Sequence, residues 1–176
     1  TALTNIDLPK SLTEIGDGAF SGCVNLADIT LPKGIGEISG GLFYNCASLT
    51  EIDIPENVTK IGRNAFYGCK GFTSVHIPEG VTEIGSNAFS KCESLKSVNI
   101  PDGVTKIGGF AFYGCKSIES LDIPNSVTEI GAAAFKYCVS LKAIELSDNL
   151  KEISESTFEE CTVLERIRIP GSVKAI

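Results

Sequence analysis

The chain has 176 residues, 43% apolar and 21% charged, a balance that supports a folded core and excludes a disordered polymer. Its formal net charge of −7 opposes non-specific attraction to nucleic acid or anionic lipid. No apolar run approaches the ~18 residues of a membrane-spanning helix, and the opening TALTNIDLPK lacks the basic start and long apolar stretch of a secretory leader.

Seven cysteines recur every 23 residues, at Cys23, Cys46, Cys69, Cys92, Cys115, Cys138 and Cys161. A phenylalanine stands three places before each, from Phe20 to Phe158. A period of this kind is an architectural signal. It divides the chain into units 3–25, 26–48, 49–71, 72–94, 95–117, 118–140 and 141–163, followed by a truncated one. The expected domain is a single solenoid over 1–176. With no methionine and no polar capping sequence at either end, the chain reads as a segment of a longer array.

Within a unit the first element is I-x-I-P, as in Ile52 and Ile54 before Pro55, whose alternation predicts a short half-buried strand. Proline ends it, and a turn-forming residue such as Asn57 or Gly80 follows. The second element, V-x-x-I-G (Val81 to Gly85), predicts another short extended piece, with glycine permitting a change of direction. The third, A-F-x-x-C, spaces its apolar residues by three, which predicts a short helical or 3₁₀ turn.

One such unit cannot bury its apolar face alone, so the units stack and identical positions form ladders. Cysteine suits a narrow inward position where a larger side chain would overfill the coil. Equivalent cysteines in successive coils point the same way, which is the wrong orientation for a disulfide, so free buried thiols are expected. No C-x-x-C spacing of a zinc site is present. The expected fold is an α/β-type solenoid, a right-handed arc or horseshoe with one or two short parallel strands per coil.

The pattern C-x-x-L-x-x-I-x-I-P, with A-F three residues before the cysteine, resembles the BspA-like class of leucine-rich repeats over essentially the whole chain. That resemblance implies a non-enzymatic module of a cell-surface or secreted protein, adhering to an extracellular or host protein through its sheet face. It implies no catalytic residue and no cofactor. A spacer projecting another domain, or a carbohydrate-binding module, are the alternatives. Units two and seven depart from the pattern at Ser39, Leu42, Ser147, Ser154 and Thr157, changes expected to loosen those coils.

Outward positions of the strand give two ladders that hold the candidate binding residues Asp28, Glu51, Asp53, His76, Asn99, Asp122, Glu145, Arg166 and Arg168. Stacked carboxylates such as Asp28 beside Glu51 repel unless a basic partner or a cation offsets them, so a basic protein segment, calcium or plain solvent are the readings there. The trio Ser74, His76 and Asp53 has hydrolase residue types, but an open sheet face offers neither pocket nor oxyanion site. A second candidate surface is the aromatic edge of Tyr44, Tyr67, Phe110, Tyr113 and Tyr137, residues that either anchor a partner or pack across coils. Glu37, Lys60, Glu83, Lys106 and Glu129 alternate in sign along the second element and read as register-setting pairs.

Overall fold

Val75 lies between Ser74 and His76, and this alternation forms a strand with one buried face. The computed structural model describes residues 2–176. In chain order the strands are β1 (Lys60–Ile61), β2 (Ser74–His76), β3 (Glu83–Ile84), β4 (Ser97–Asn99), β5 (Lys106–Ile107), β6 (Ser120–Asp122), β7 (Glu129–Ile130) and β8 (Ala143–Glu145). Every pairing is parallel and joins positions one repeat apart, as Lys60 with Glu83 and Val75 with Val98. The second elements form one sheet in the order β1-β3-β5-β7, whereas the I-x-I-P elements form two separate pairs, β2-β4 and β6-β8. Both predicted extended elements therefore exist, on different walls of a solenoid.

The third wall corrects the sequence reading. No helix occurs among the described residues. In each coil the residues five and one before the cysteine have left-handed backbone, for example Asn64 (φ 58°) and Gly68 (φ 72°), then Asn87 (φ 57°) and Lys91 (φ 59°). That conformation cannot be continued as a right-handed helix. Instead, alternate N–H groups serve two directions. Those of Ala65, Tyr67 and Cys69 close tight turns onto the carbonyls of Gly62, Asn64 and Phe66 at 3.1–3.3 Å. Those of Asn64, Phe66 and Gly68 cross to the carbonyls of Ser86, Ala88 and Ser90 in the next coil at 2.8–2.9 Å. A helix would turn every N–H along its own axis and leave the coils untied. A spacing of three apolar residues fits either geometry, so periodicity alone could not choose between them.

The core is a continuous stack of inward side chains from Ile15 to Ile153. Phe20, Phe43, Phe66, Phe89, Phe112, Phe135 and Phe158 form an unbroken ring stack, with centroids 5.3–5.8 Å apart and planes within 8–19° of parallel. Such aromatic pairs add about 0.5–1.5 kcal/mol each beyond their burial. All seven cysteines are free thiols, six buried and Cys161 half-buried. The Cys46, Cys69, Cys92, Cys115, Cys138 and Cys161 thiols each donate to the carbonyl of the phenylalanine 26 residues earlier, at 3.1–3.3 Å. Cysteine is thus the residue that both fills the narrow position and satisfies a buried carbonyl.

The repeat glycine acts through proximity, not through a change of direction. A Cβ on Gly62 would lie 2.7 Å from the Ile38 carbonyl oxygen, and one on Gly85 2.7 Å from the Gly62 carbonyl carbon. Neither glycine has positive φ. Where serine replaces it the four-stranded sheet ends, leaving isolated bridges at Ile38 and Glu152. Those coils are nonetheless tied. Ser39 Oγ donates to the Ile15 carbonyl at 2.5 Å, Ser154 Oγ to that of Ile130 at 2.7 Å and Ser147 Oγ to that of Val127 at 2.6 Å. The departures exchange strand pairing for hydroxyl bonds rather than simply loosening the stack.

Three outcomes follow from this packing. Gly85→Ala is expected to lower the unfolding free energy by about 1–3 kcal/mol in urea titration, since backbone must move to admit the methyl group. Native protein is expected to resist thiol reagents until denatured, with Cys161 the first to react. Burial pushes the Cys46 thiol from its ordinary value near 9 up to about 11, with neighbouring Cys23 adding to the effect, and burial does the same to Cys161. A raised folded-state value makes the unfolded chain ionise first. The associated stability is fully present below pH ~9 and is lost as pH climbs towards the folded values. Melting temperature is therefore expected to fall above pH ~9, and Cys46→Ala to flatten that slope.

Candidate interaction surfaces

On the I-x-I-P wall the inward Val75, Leu121 and Ile144 leave the flanking residues pointing to solvent. Asp28, Glu51, Asp53, His76, Asn99, Asp122, Glu145, Arg166 and Arg168 are all exposed. Strand pairing sets His76 opposite Asn99, and Asp122 directly opposite Glu145. Two of the nine are engaged within the chain. Asn99 Oδ1 accepts from the Ile77 N–H at 3.2 Å and its amide donates back to the Ile77 carbonyl at 3.4 Å, extending the β2-β4 ladder. Arg168 pairs with Asp148 at 2.9 Å. Among the described residues, Asp28, Glu51, Asp53, Asp122 and Glu145 form no ion pair.

At its N-terminal end this wall opens into a groove of about 1080 Å³, where the I-x-I-P segments of the first three coils run without strand pairing. Leu8, Leu31, Ile54, Pro32 and Pro55 supply its apolar lining, Asp7, Asp53 and Glu56 its carboxylates, and Lys10 and Lys33 its ammonium groups. Ser74 and His76 lie outside it, so the trio Ser74, His76 and Asp53 shares no pocket. Among the described residues no group of three or more His, Cys, Asp or Glu is placed to hold a metal ion.

The aromatic edge lies on the turn wall. Tyr44 and Tyr67 stack with centroids 4.7 Å apart and planes 6° from parallel. Farther along, Tyr113 meets Phe110 at 5.8 Å in a tilted contact and Tyr137 at 5.5 Å edge-on. Between the two groups is a cleft of about 380 Å³, lined also by Asn87, Ser90, Lys91 and Lys136. The Lys91 ammonium sits 5.3 Å from the Tyr67 ring centre, and that of Lys136 5.4 Å from the Tyr137 ring centre. The Tyr67 hydroxyl raises the Lys91 pKa, and a 2.7 Å contact with Glu159 raises that of Lys136. Neither lysine was legible as part of this surface. Lys91 occupies a left-handed position, and only the folded turn aims it over the preceding coil's tyrosine.

On the second-element wall the alternating charges pair in part, Lys60 with Glu83 at 3.4 Å and Lys106 with Glu129 at 2.9 Å. A threonine ladder runs beside them. Thr59, Thr82, Thr105 and Thr128 each direct both N–H and hydroxyl at one carbonyl of the preceding coil. Sequence reasoning passed over it, although V-T recurs with the period.

The recurring strand, glycine approach, ring stack and thiol bond define a repeat type as well as a shape. The profile described as BspA type leucine rich repeat region matches residues 1–108 and 59–176, with six copies. The chain belongs to the BspA-type leucine-rich repeat family. Solved structures with the same fold include a T. pallidum leucine rich repeat protein, 29% identical over 92% of this chain and 78% of that one, with a TM-score of 0.83. Another is a leucine rich cell surface protein of Faecalibacterium prausnitzii, 32% identical over 93% of this chain and 53% of that one, TM-score 0.61. A leucine-rich repeat protein of Eubacterium ventriosum shares the fold at 24% identity, covering 98% and 56%, with a TM-score of 0.72. The chain thus spans only about half the length of these last two. No curated protein matches it.

As a BspA-type repeat region, the chain is a leucine-rich-repeat scaffold suited to a protein-interaction or structural role. Among its described residues no helix is long and apolar enough to cross a membrane.

Proposed function

We propose that this chain is a non-enzymatic adhesion module of a cell-surface or secreted protein, engaging an extracellular or host protein through its sheet face. The observation that carries the reading is the set of carboxylates at Asp28, Glu51, Asp53, Asp122 and Glu145 on one exposed wall, none of them in an ion pair among the described residues. Asp122 and Glu145 face one another across a strand pair, an arrangement that costs stability in isolation. A basic segment laid across the coils would relieve that repulsion and be steered by the net negative field. The groove whose apolar lining is flanked by Asp7, Asp53 and Glu56, and by Lys10 and Lys33, offers burial at the same end, which an ion-pairing face alone lacks.

The test is capture of extracellular-matrix, plasma and mucosal proteins on an array, repeated with Asp28→Lys plus Asp53→Lys. Saturable capture that weakens with salt and disappears in the double variant, while thermal unfolding stays within about 2 °C, is the expected outcome. Capture indifferent to both salt and charge reversal sinks the sheet-face assignment. No capture of any protein would favour a spacer that projects a neighbouring domain.

A further inference from the structure

The turn wall carries a ladder with one rung missing. Tyr44, Tyr67, Ser90 and Tyr113 occupy the same position in successive coils. The first two stack at 4.7 Å, whereas Ser90 is buried and its hydroxyl donates to the Tyr113 carbonyl at 3.4 Å. Tyr67 and Tyr113 are two coil steps apart, or roughly 10 Å at the spacing of stacked strands. A planar ring placed midway would lie roughly 5 Å from each, within the range aromatic pairs prefer. The cleft of about 380 Å³ opens at that rung.

Two of its walls are costly for the fold. Phe110 (φ 58°) and Tyr137 (φ 61°) have left-handed backbone, at positions filled in other coils by Asn64, Asn87, Ala133 and Ser156, or by Gly68, Lys91, Gly114 and Glu160, none of them aromatic. Bulky side chains are unfavourable in that conformation. Both also remain exposed, at 41% and 37%, so burial offsets the strain only in part. Both rings pack on Tyr113, at 5.8 and 5.5 Å, and a ring entering the gap would cover the surface that those contacts leave open.

We infer that this cleft is a docking slot for an exposed aromatic side chain on a partner protein, flanked there by acidic residues. The partner's ring completes the tyrosine ladder between Tyr67 and Tyr113, with Phe110 and Tyr137 closing its sides. As it enters, it takes the place of the Lys91 ammonium over Tyr67. Lys91 has no carboxylate partner among the described residues and turns to a carboxylate beside the incoming ring. The cleft lining contains no Asp or Glu. Sugar hydroxyls would find no carboxylate acceptor there, whereas an acidic peptide finds the Lys91 ammonium, Lys136 being held by Glu159. This surface stands apart from the sheet face, whose charge selects the opposite kind of segment.

The chain has no tryptophan, so a tryptophan-bearing probe can be followed by its own emission. The probe is a short synthetic peptide with one tryptophan between aspartate and glutamate pairs, compared with its alanine counterpart and with sialylated oligosaccharides. Ser90→Tyr fills the rung with the residue its neighbours carry, and Lys91→Glu places there the residue found at Glu160. Both are expected to fold. Ser90→Tyr is expected to weaken binding at least ~10-fold, and Lys91→Glu ~3–10-fold. Phe110→Asn with Tyr137→Gly is expected to raise the melting temperature by about 2–4 °C or more while abolishing binding, since strain is removed with the slot. Asp28→Lys plus Asp53→Lys is expected to leave it unchanged, separating this site from the sheet face. No emission change up to ~1 mM peptide would overturn the inference. So would equal binding of the alanine peptide, Ser90→Tyr binding like the native chain, or capture of the oligosaccharides in place of the peptide.

Discussion

The hydrogen bonds that cross between coils on the turn wall set the terms for the rest of the molecule. From the coils of Cys23 to Cys138, the N–H groups five, three and one residues before the cysteine reach carbonyls in the next, as Gly41, Phe43 and Asn45 reach Arg63, Ala65 and Tyr67 at 2.6–2.8 Å. This tie brings backbones to the separation of paired strands, and that separation decides which side chains fit. Rings at the phenylalanine position must stack nearly parallel, thiols must be small and find a carbonyl, and glycine must stand where two backbones nearly touch. Left-handed residues are the local cost of turning alternate N–H groups towards the next coil.

Much of this was legible from the sequence because a repeat reports each position seven times. The two extended walls, the inward isoleucines, the phenylalanine ladder and the unlinked cysteines follow from period and alternation. The turn wall does not. Ala65, Phe66 and Cys69 have a spacing that suits one face of a helical turn and a run of tight turns alike, and the deciding signal lay in Asn64 and Gly68, residues tolerant of positive φ. Glycine was read for its conformational freedom at Gly85, where the folded chain uses its missing side chain. The serine departures at Ser39 and Ser154 lose strand pairing but acquire hydroxyl bonds, a trade invisible without the neighbouring carbonyl.

The candidate surfaces differ in how far sequence could reach them. Outward strand positions alternate, so the exposure of Asp28, Glu51 and Asp53 is a direct consequence of the buried residues between them. The pairing of Arg168 with Asp148 and the turn of Asn99 back onto Ile77 depend on geometry that alternation does not encode. On the turn wall the aromatics could be named, but their grouping into two sets around Ser90, with Lys91 and Lys136 above them, required the coil-to-coil offset. In both places the informative residues are those that break the repeat's average: carboxylates with no ion pair among the described residues on one wall, bulky rings on strained backbone on the other.

The crossing bonds of the turn wall also share a direction, running from the N–H of one coil to the carbonyl of the following one at each junction described. A cut between any two coils therefore exposes donors on one side and acceptors on the other. Two such cut faces satisfy each other only when joined in the same sense, because reversing one would set N–H against N–H along the whole wall. The repeat is in this respect a polar building block. Its arrays grow in one sense only, by whole coils inserted head to tail, and a junction formed in the opposite sense is rejected by the backbone before any side chain is consulted.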